Sequence, residues 1–138
     1  MFVSEKIAFH ASLSSNIPGT TSGQTIVFNQ VDTNLGGGYN GTTGVFTARV
    51  AGAYVFSLTF YMNYHSSYVR AGVLSIMNNN VQSIRVLVEL DSNANEGTAS
   101  GTTVLPLNKG DQVRVQVGTD NMYINGNKLS FFSGFLLG

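Results

Sequence analysis

The 138-residue sequence has no cysteine and no tryptophan, only two prolines, and few charges, with 10 % of residues being Asp, Glu, Lys or Arg. The lack of cysteine excludes disulfides and thiolate metal sites and leaves the redox compartment open. Low charge beside 43 % hydrophobic residues excludes a disordered chain, because there is ample Val, Ile, Leu, Phe and Tyr to bury. The seven basic and seven acidic residues cancel and are dispersed. No basic stripe is therefore available to replace phosphate counterions, and nucleic-acid binding is not expected. No apolar run approaches the roughly 18 residues of a membrane span, so membrane insertion is not expected either. The opening Met1-Phe2-Val3-Ser4-Glu5-Lys6 lacks the apolar core of a secretory leader. That predicts either a cytosolic chain or a mature form. Helix-length windows with a glycine-free apolar i, i+3, i+4 stripe are also missing.

What the sequence does have is alternation. Ile7, Phe9, Ala11 and Leu13 share one face, as do Tyr54, Phe56, Leu58, Phe60 and Met62. Ile84, Val86, Val88 and Leu90 form another one-sided run; Val113, Val115 and Val117 form a third; and Phe131, Phe135 and Leu137 fall together near the end. Such period-two patterns predict half-buried strands. Ile17-Pro18-Gly19, Gly36-Gly37-Gly38, Asn78-Asn79-Asn80, Asn108-Lys109-Gly110-Asp111 and Asn125-Gly126-Asn127 carry the chemistry of turns. The Asn78–Asn80 turn reads as a hairpin connection. The expectation is one all-β domain over residues 1–138, a sandwich or jelly roll of about ten short antiparallel strands.

Between Phe28 and Phe60 the spacing becomes specific. Phe28, Asn34, Tyr39, Phe46, Gly52, Tyr54 and Phe56 stand at the intervals of a known signature, with Leu58 where it has a further aromatic. Ala8-Phe9-His10-Ala11, Val104-Leu105-Pro106-Leu107-Asn108-Lys109-Gly110-Asp111 and Phe132-Ser133-Gly134-Phe135-Leu136-Leu137 extend the likeness over nearly the whole chain. The sequence resembles the complement C1q globular domain. That resemblance implies a jelly roll of the C1q/tumour-necrosis-factor type, usually assembled as a homotrimer. The signature residues read physically as core aromatics, with Gly52 allowing close backbone approach, and none of them is catalytic.

Enzyme chemistry is not expected. The two histidines, His10 and His65, fall in different segments, and there is no Gly-x-Ser-x-Gly, HExxH or Walker loop. His10 reads as an outward polar residue of a strand. Three polar segments are candidates for binding. Asp91, Asn93 and Asn95 at alternate positions, followed by Glu96, could converge on calcium, or could be a solvated loop. The segment is no EF-hand, since Glu96 and Thr102 stand where that loop needs Gly and Glu. Tyr64, His65, Tyr68 and Arg70 combine aromatic faces with hydrogen-bond donors, as sugar sites do, or could fill a subunit interface. For Tyr61 the interface is the preferred expectation. Asp120, Asn121, Tyr123 and Lys128 form a third candidate, against a plain connecting loop. Asn40-Gly41-Thr42 is the sole glycosylation sequon.

The leading expectation is a secreted, trimeric, lectin-like pattern-recognition protein of innate immunity, similar to C1q-domain proteins without a collagen stalk. It would bind carbohydrate or microbial surfaces without catalysis and require no cofactor, with calcium a candidate ligand. The alternative is a tumour-necrosis-factor-like signalling ligand that docks a receptor at intersubunit grooves. A structural trimerising head is the third.

Overall fold

The computed structural model describes residues 5–138. Met1 to Ser4, which enter the leader reading above, lie outside the described residues. In chain order the strands are β1 (Ala8–Ser12), β2 (Ile17–Pro18), β3 (Gln30–Leu35), β4 (Tyr39–Asn40), β5 (Val45–Thr47), β6 (Gly52–Asn63), β7 (Ala71–Asn78), β8 (Val81–Glu89), β9 (Glu96–Leu107), β10 (Gln112–Val117), β11 (Tyr123–Ile124) and β12 (Phe131–Leu136). Among the described residues there is no helix. One sheet runs β9-β6-β12-β1-β3, with β11 and β2 continuing beside the far end of β6. The other runs β4-β5-β10-β7-β8. All the ladders are antiparallel, and the sheets enclose one aromatic-rich core, as the alternation predicts.

Tyr54, Phe56, Leu58, Phe60 and Met62 are all 0 % exposed. Each sits between β9 and β12 or β11 and points into the sandwich, because the strand period is two. The signature residues form a connected set. The Asn34 side chain brackets Tyr39, donating to its carbonyl at 2.8 Å and accepting from its N–H at 3.2 Å. The Tyr39 hydroxyl donates to the Phe28 carbonyl at 2.7 Å, and the Tyr54 hydroxyl donates to the Val50 carbonyl at 2.7 Å. Phe9 stacks on Tyr39 at 4.7 Å and on Phe46 at 5.2 Å.

Burial raises the ionisation of Tyr39 well above the ordinary tyrosine range, against the lowering effect of its hydrogen bond to Phe28. Burial raises Tyr54 in the same way. The neutral phenol is therefore favoured in the folded state. Its contribution is complete below about pH 10, where the unfolded tyrosine begins to ionise, and is lost as pH rises towards the folded value. Urea unfolding at pH 8 and pH 11 should show a loss of up to about 1.4 kcal/mol per pH unit above pH 10 from Tyr39, with Tyr54 acting in the same direction. Tyr39→Phe should flatten that alkaline slope, and an unchanged slope would assign the loss elsewhere.

In β12 and the residue after it, the bulkier side of the alternation turns outward. Phe135 and Leu137 are 46 % and 64 % exposed, whereas Phe132 is buried. Gly134 shares the inward side with Phe132, and a Cβ there would lie 2.6 Å from a Phe56 ring carbon and 2.7 Å from Phe9. Two aromatic rings from other strands fill the space that a side chain would take.

The outward face of the β6 sheet is nearly free of charge. Among β1, β6, β9 and β12 the only Asp, Glu, Lys, Arg or His residues are His10 and Glu96. One row across it, Val104–Val55–Phe135–Ala8–Leu35, is apolar. The next, Thr102–Ser57–Ser133–His10, is polar and internally bonded. There Ser57 meets Thr102 at 3.0 Å and His10 meets Ser133 at 2.5 Å. His10 thus faces outward, as its place in the alternation predicts.

Candidate functional site

The candidate loops gather at the Asn63 end of β6, where β11 and the start of β9 pair with it. Cross-bonds hold them in place. The Tyr64 N–H donates to the Asn95 carbonyl at 2.7 Å, and the Tyr68 N–H closes a turn onto the His65 carbonyl at 2.9 Å. Asn121, at a φ of 63°, donates from its side chain to the Ser67 carbonyl at 2.6 Å and accepts the Val69 N–H at 3.1 Å through its own carbonyl. Asparagine tolerates that left-handed backbone better than most residues.

The result is a three-ring cluster. The His65 ring lies 4.8 Å from Tyr123 and 6.0 Å from Tyr68, and Tyr68 lies 5.3 Å from Tyr123, each pair edge to face. Asn16 donates to the Tyr123 hydroxyl at 2.9 Å, while its own amide oxygen accepts the Gly126 N–H at 2.8 Å. Gly19 lies beside Tyr68 and Asn121, with a φ of +91°. The amide oxygens of Asn63 and Asn125, on either side of this region, are buried without a hydrogen-bond partner. His65 is exposed, and the two tyrosines are half-buried. Aromatic edges beside amide donors and acceptors can pack C–H groups and bond hydroxyls at once.

The other predicted residues are placed differently. The Arg70 guanidinium lies 3.7 Å over the Tyr64 ring and donates to the carbonyls of Asp91 at 2.8 Å and Ala94 at 3.0 Å. Tyr64 and Arg70 therefore brace the loop between β8 and β9. Asp120 accepts the Ser22 N–H at 2.7 Å. Lys128 is exposed, and its backbone N–H donates to Leu13.

In the calcium candidate, the Asp91 carboxylate accepts the Asn93 N–H at 2.8 Å, an Asx turn. The Asn95 carbonyl is used by Tyr64. The nearby Glu96 carboxylate, together with desolvation, raises the ionisation of the Tyr61 hydroxyl. Among the described residues no three His, Asp or Glu side chains come together as a metal site. Asn16 and Gly19 were not candidates from the sequence. Asn16 is 107 positions from Tyr123, and no local pattern signals that contact.

Comparison with known proteins agrees with the two-sheet fold. A family model described as the C1q domain matches residues 8–137. The chain belongs to the C1q domain family. Complement C1q tumor necrosis factor-related protein 3 of Mus musculus is 34 % identical over 132 residues, 96 % of this chain. The chain spans 51 % of the length of that relative. Among solved structures, the globular domain of zebrafish complement 1qA superimposes with a TM-score of 0.77 at 22 % identity, covering 96 % of this chain and 98 % of that one. Eiger TNF from S. frugiperda gives 0.74 at 14 % identity, covering 98 % and 94 %. The two-sheet jelly roll is thus shared between C1q and tumour-necrosis-factor structures, and none of these three names is that of an enzyme.

Proposed function

We propose that this C1q-domain protein is a secreted, trimeric, lectin-like recognition protein that binds glycans or microbial surfaces. The observation that carries this reading is the His65–Tyr68–Tyr123 cluster, with Asn16 and Asn121 beside it, on cross-bonded loops at one end of the sandwich. A sugar would pack its C–H face on the rings and bond its hydroxyls to the amides, and no bond would be made or broken. The nearly chargeless face of the β6 sheet supports assembly through that face, because the cores of protein interfaces are depleted of charge. Tyr61 lies on it, as the interface reading expects. Three weak sites on one rigid body would bind a repetitive surface far more strongly than one.

A glycan array with calcium and with a chelator tests the reading. Tyr68→Ala and Tyr123→Ala should each weaken binding by about tenfold or more, since each removes a ring face. Tyr123→Phe, which removes only the contact to Asn16, should weaken it less. Binding abolished by the chelator would direct attention to Asp91, Asn93, Asn95 and Glu96. A blank array in both conditions would sink the lectin reading. It would favour the second one, a ligand docking a protein receptor at intersubunit grooves, to which the likeness to a C1q tumor necrosis factor-related protein lends support.

A further inference from the structure

A cavity of about 520 Å3 opens at the other end of the sandwich. It lies where β6 begins, roughly 36 Å from the ring cluster along that 12-residue strand. Its apolar lining comes from Ile7, Ala48 and Val50, and Gly36 borders it as well. Gly36 has a φ of +80°, and a Cβ there would come within 3.2 Å of Ile7. Arg49 and Lys109 also line it, with Glu5 as the single lining carboxylate among the described residues.

The backbone that carries the two cations is held in position by the fold. Arg49 lies across the turn after β3, its guanidinium 3.4 Å from where a Cβ on Gly37 would be. Lys109 rides on the turn between β9 and β10. That turn is pinned by Gly110 N–H to the Ala48 carbonyl at 2.8 Å and Ala48 N–H to the Asp111 carbonyl at 2.9 Å. Arg70 and Arg114 spend their guanidinium groups on protein oxygens. Among the described residues Arg49 and Lys109 have no such partner. Two uncommitted cations beside an apolar lining, in a cavity of ligand size, suit an anion carried on a compact apolar body.

We propose that this cavity binds a small organic anion, its carboxylate or phosphate held by Arg49 and Lys109 and its apolar body seated on Ile7 and Val50. Arginine can meet such a group with two parallel N–H bonds, and lysine adds a point charge. Glu5 opposes the anion and lowers its affinity. This site is independent of the glycan reading, and neither depends on the other.

The test is a titration of the 138-residue chain followed by amide NMR, using benzoate, phenyl phosphate, inorganic phosphate and neutral benzamide as probes. Benzoate or phenyl phosphate should shift the amides of Gly36, Gly37 and Gly110 saturably, and which of the two binds more tightly identifies the preferred head group. Benzamide and inorganic phosphate should bind about tenfold more weakly, each lacking one half of the recognised chemistry. Arg49→Gln should cost about tenfold, Lys109→Gln a smaller factor, and Glu5→Gln should tighten binding by about threefold. Arg49 and Lys109 are exposed, so the unliganded spectra should otherwise match wild type. Shifts that fail to saturate, or that survive both Arg49→Gln and Lys109→Gln, would overturn the proposal. So would inorganic phosphate binding as tightly as phenyl phosphate, since the apolar lining would then contribute nothing.

Discussion

In the proposed trimer, replacing Ser57 by lysine is expected to yield a folded monomer. Ser57 sits near the middle of the outward face of the β6 sheet, flanked by Thr102 on β9 and Ser133 on β12. In the separated chain a lysine there can extend into water along the sheet, so the sandwich itself has no reason to unfold. Covered by a second copy, the same ammonium would find hydroxyls and apolar side chains, with His10 and Glu96 the only Asp, Glu, Lys, Arg or His residues on those four strands. Burying an unpaired charge costs several kcal/mol per copy, and in a symmetric assembly every copy bears it. Sedimentation velocity at micromolar concentration reads the result directly, with circular dichroism as the fold control. Agglutination of a glycan-bearing surface should fall with it, because avidity depends on simultaneous engagement. If Ser57→Lys sediments as the wild type does, this face is not the contact surface.

The second large effect is expected at Gly134. The Phe9 and Phe56 rings that would meet its Cβ cannot simply swing away. Phe9 is stacked between Tyr39 and Phe46, while Phe56 packs against Phe46 and Phe132, with centroids 5.5 Å and 6.0 Å away. Overpacking a well-filled core costs about 1–3 kcal/mol for small insertions and more for larger ones. Gly134→Ala should therefore lower the urea midpoint clearly. Gly134→Val should remove a large part of a total stability that is about 5–15 kcal/mol for domains of this kind. Ser133→Ala, one residue away on the outward face, should change it by less than about 1 kcal/mol. Equal midpoints for Gly134→Val and Ser133→Ala would mean that the rings have room that their contacts do not suggest.

The core was legible where alternation and burial coincide, as along Tyr54 to Met62 and Val113 to Val117. It was less legible where the inward residue is glycine. Gly97, Gly101 and Gly134 look like strand breakers, yet each lies within a strand because side chains from elsewhere occupy its place. Leu90 fills the space at Gly97, Val86 that at Gly101, and the two rings that at Gly134. The signature in Phe28–Phe56 was readable as spacing. Its reason, Asn34 bracketing Tyr39 and Tyr39 reaching Phe28, needs the fold. At the loop end, residue types alone picked out the rings but could not separate Arg70, which holds a neighbouring loop, from His65, which faces solvent. Ladder register decides that, and the register of β11 against both β2 and β6 is set by pairs distant in sequence.

The path of the chain has a practical consequence for engineering. Ile7 accepts the Leu136 N–H and Ala53 donates to Gly138, so the first and last described residues meet at the same end of the sandwich. A short linker could join them, and new termini could be opened in the exposed Ser92–Asn93 turn, the kind of site where circular permutation succeeds. Such a rearranged protein would keep both sheets but could be anchored to a bead or chip by its ring-cluster end. Native-order protein anchored through Gly138 would present that cluster outward instead. Comparing the two orientations on a sugar-coated surface would separate what the loops bind from what the opposite cavity binds.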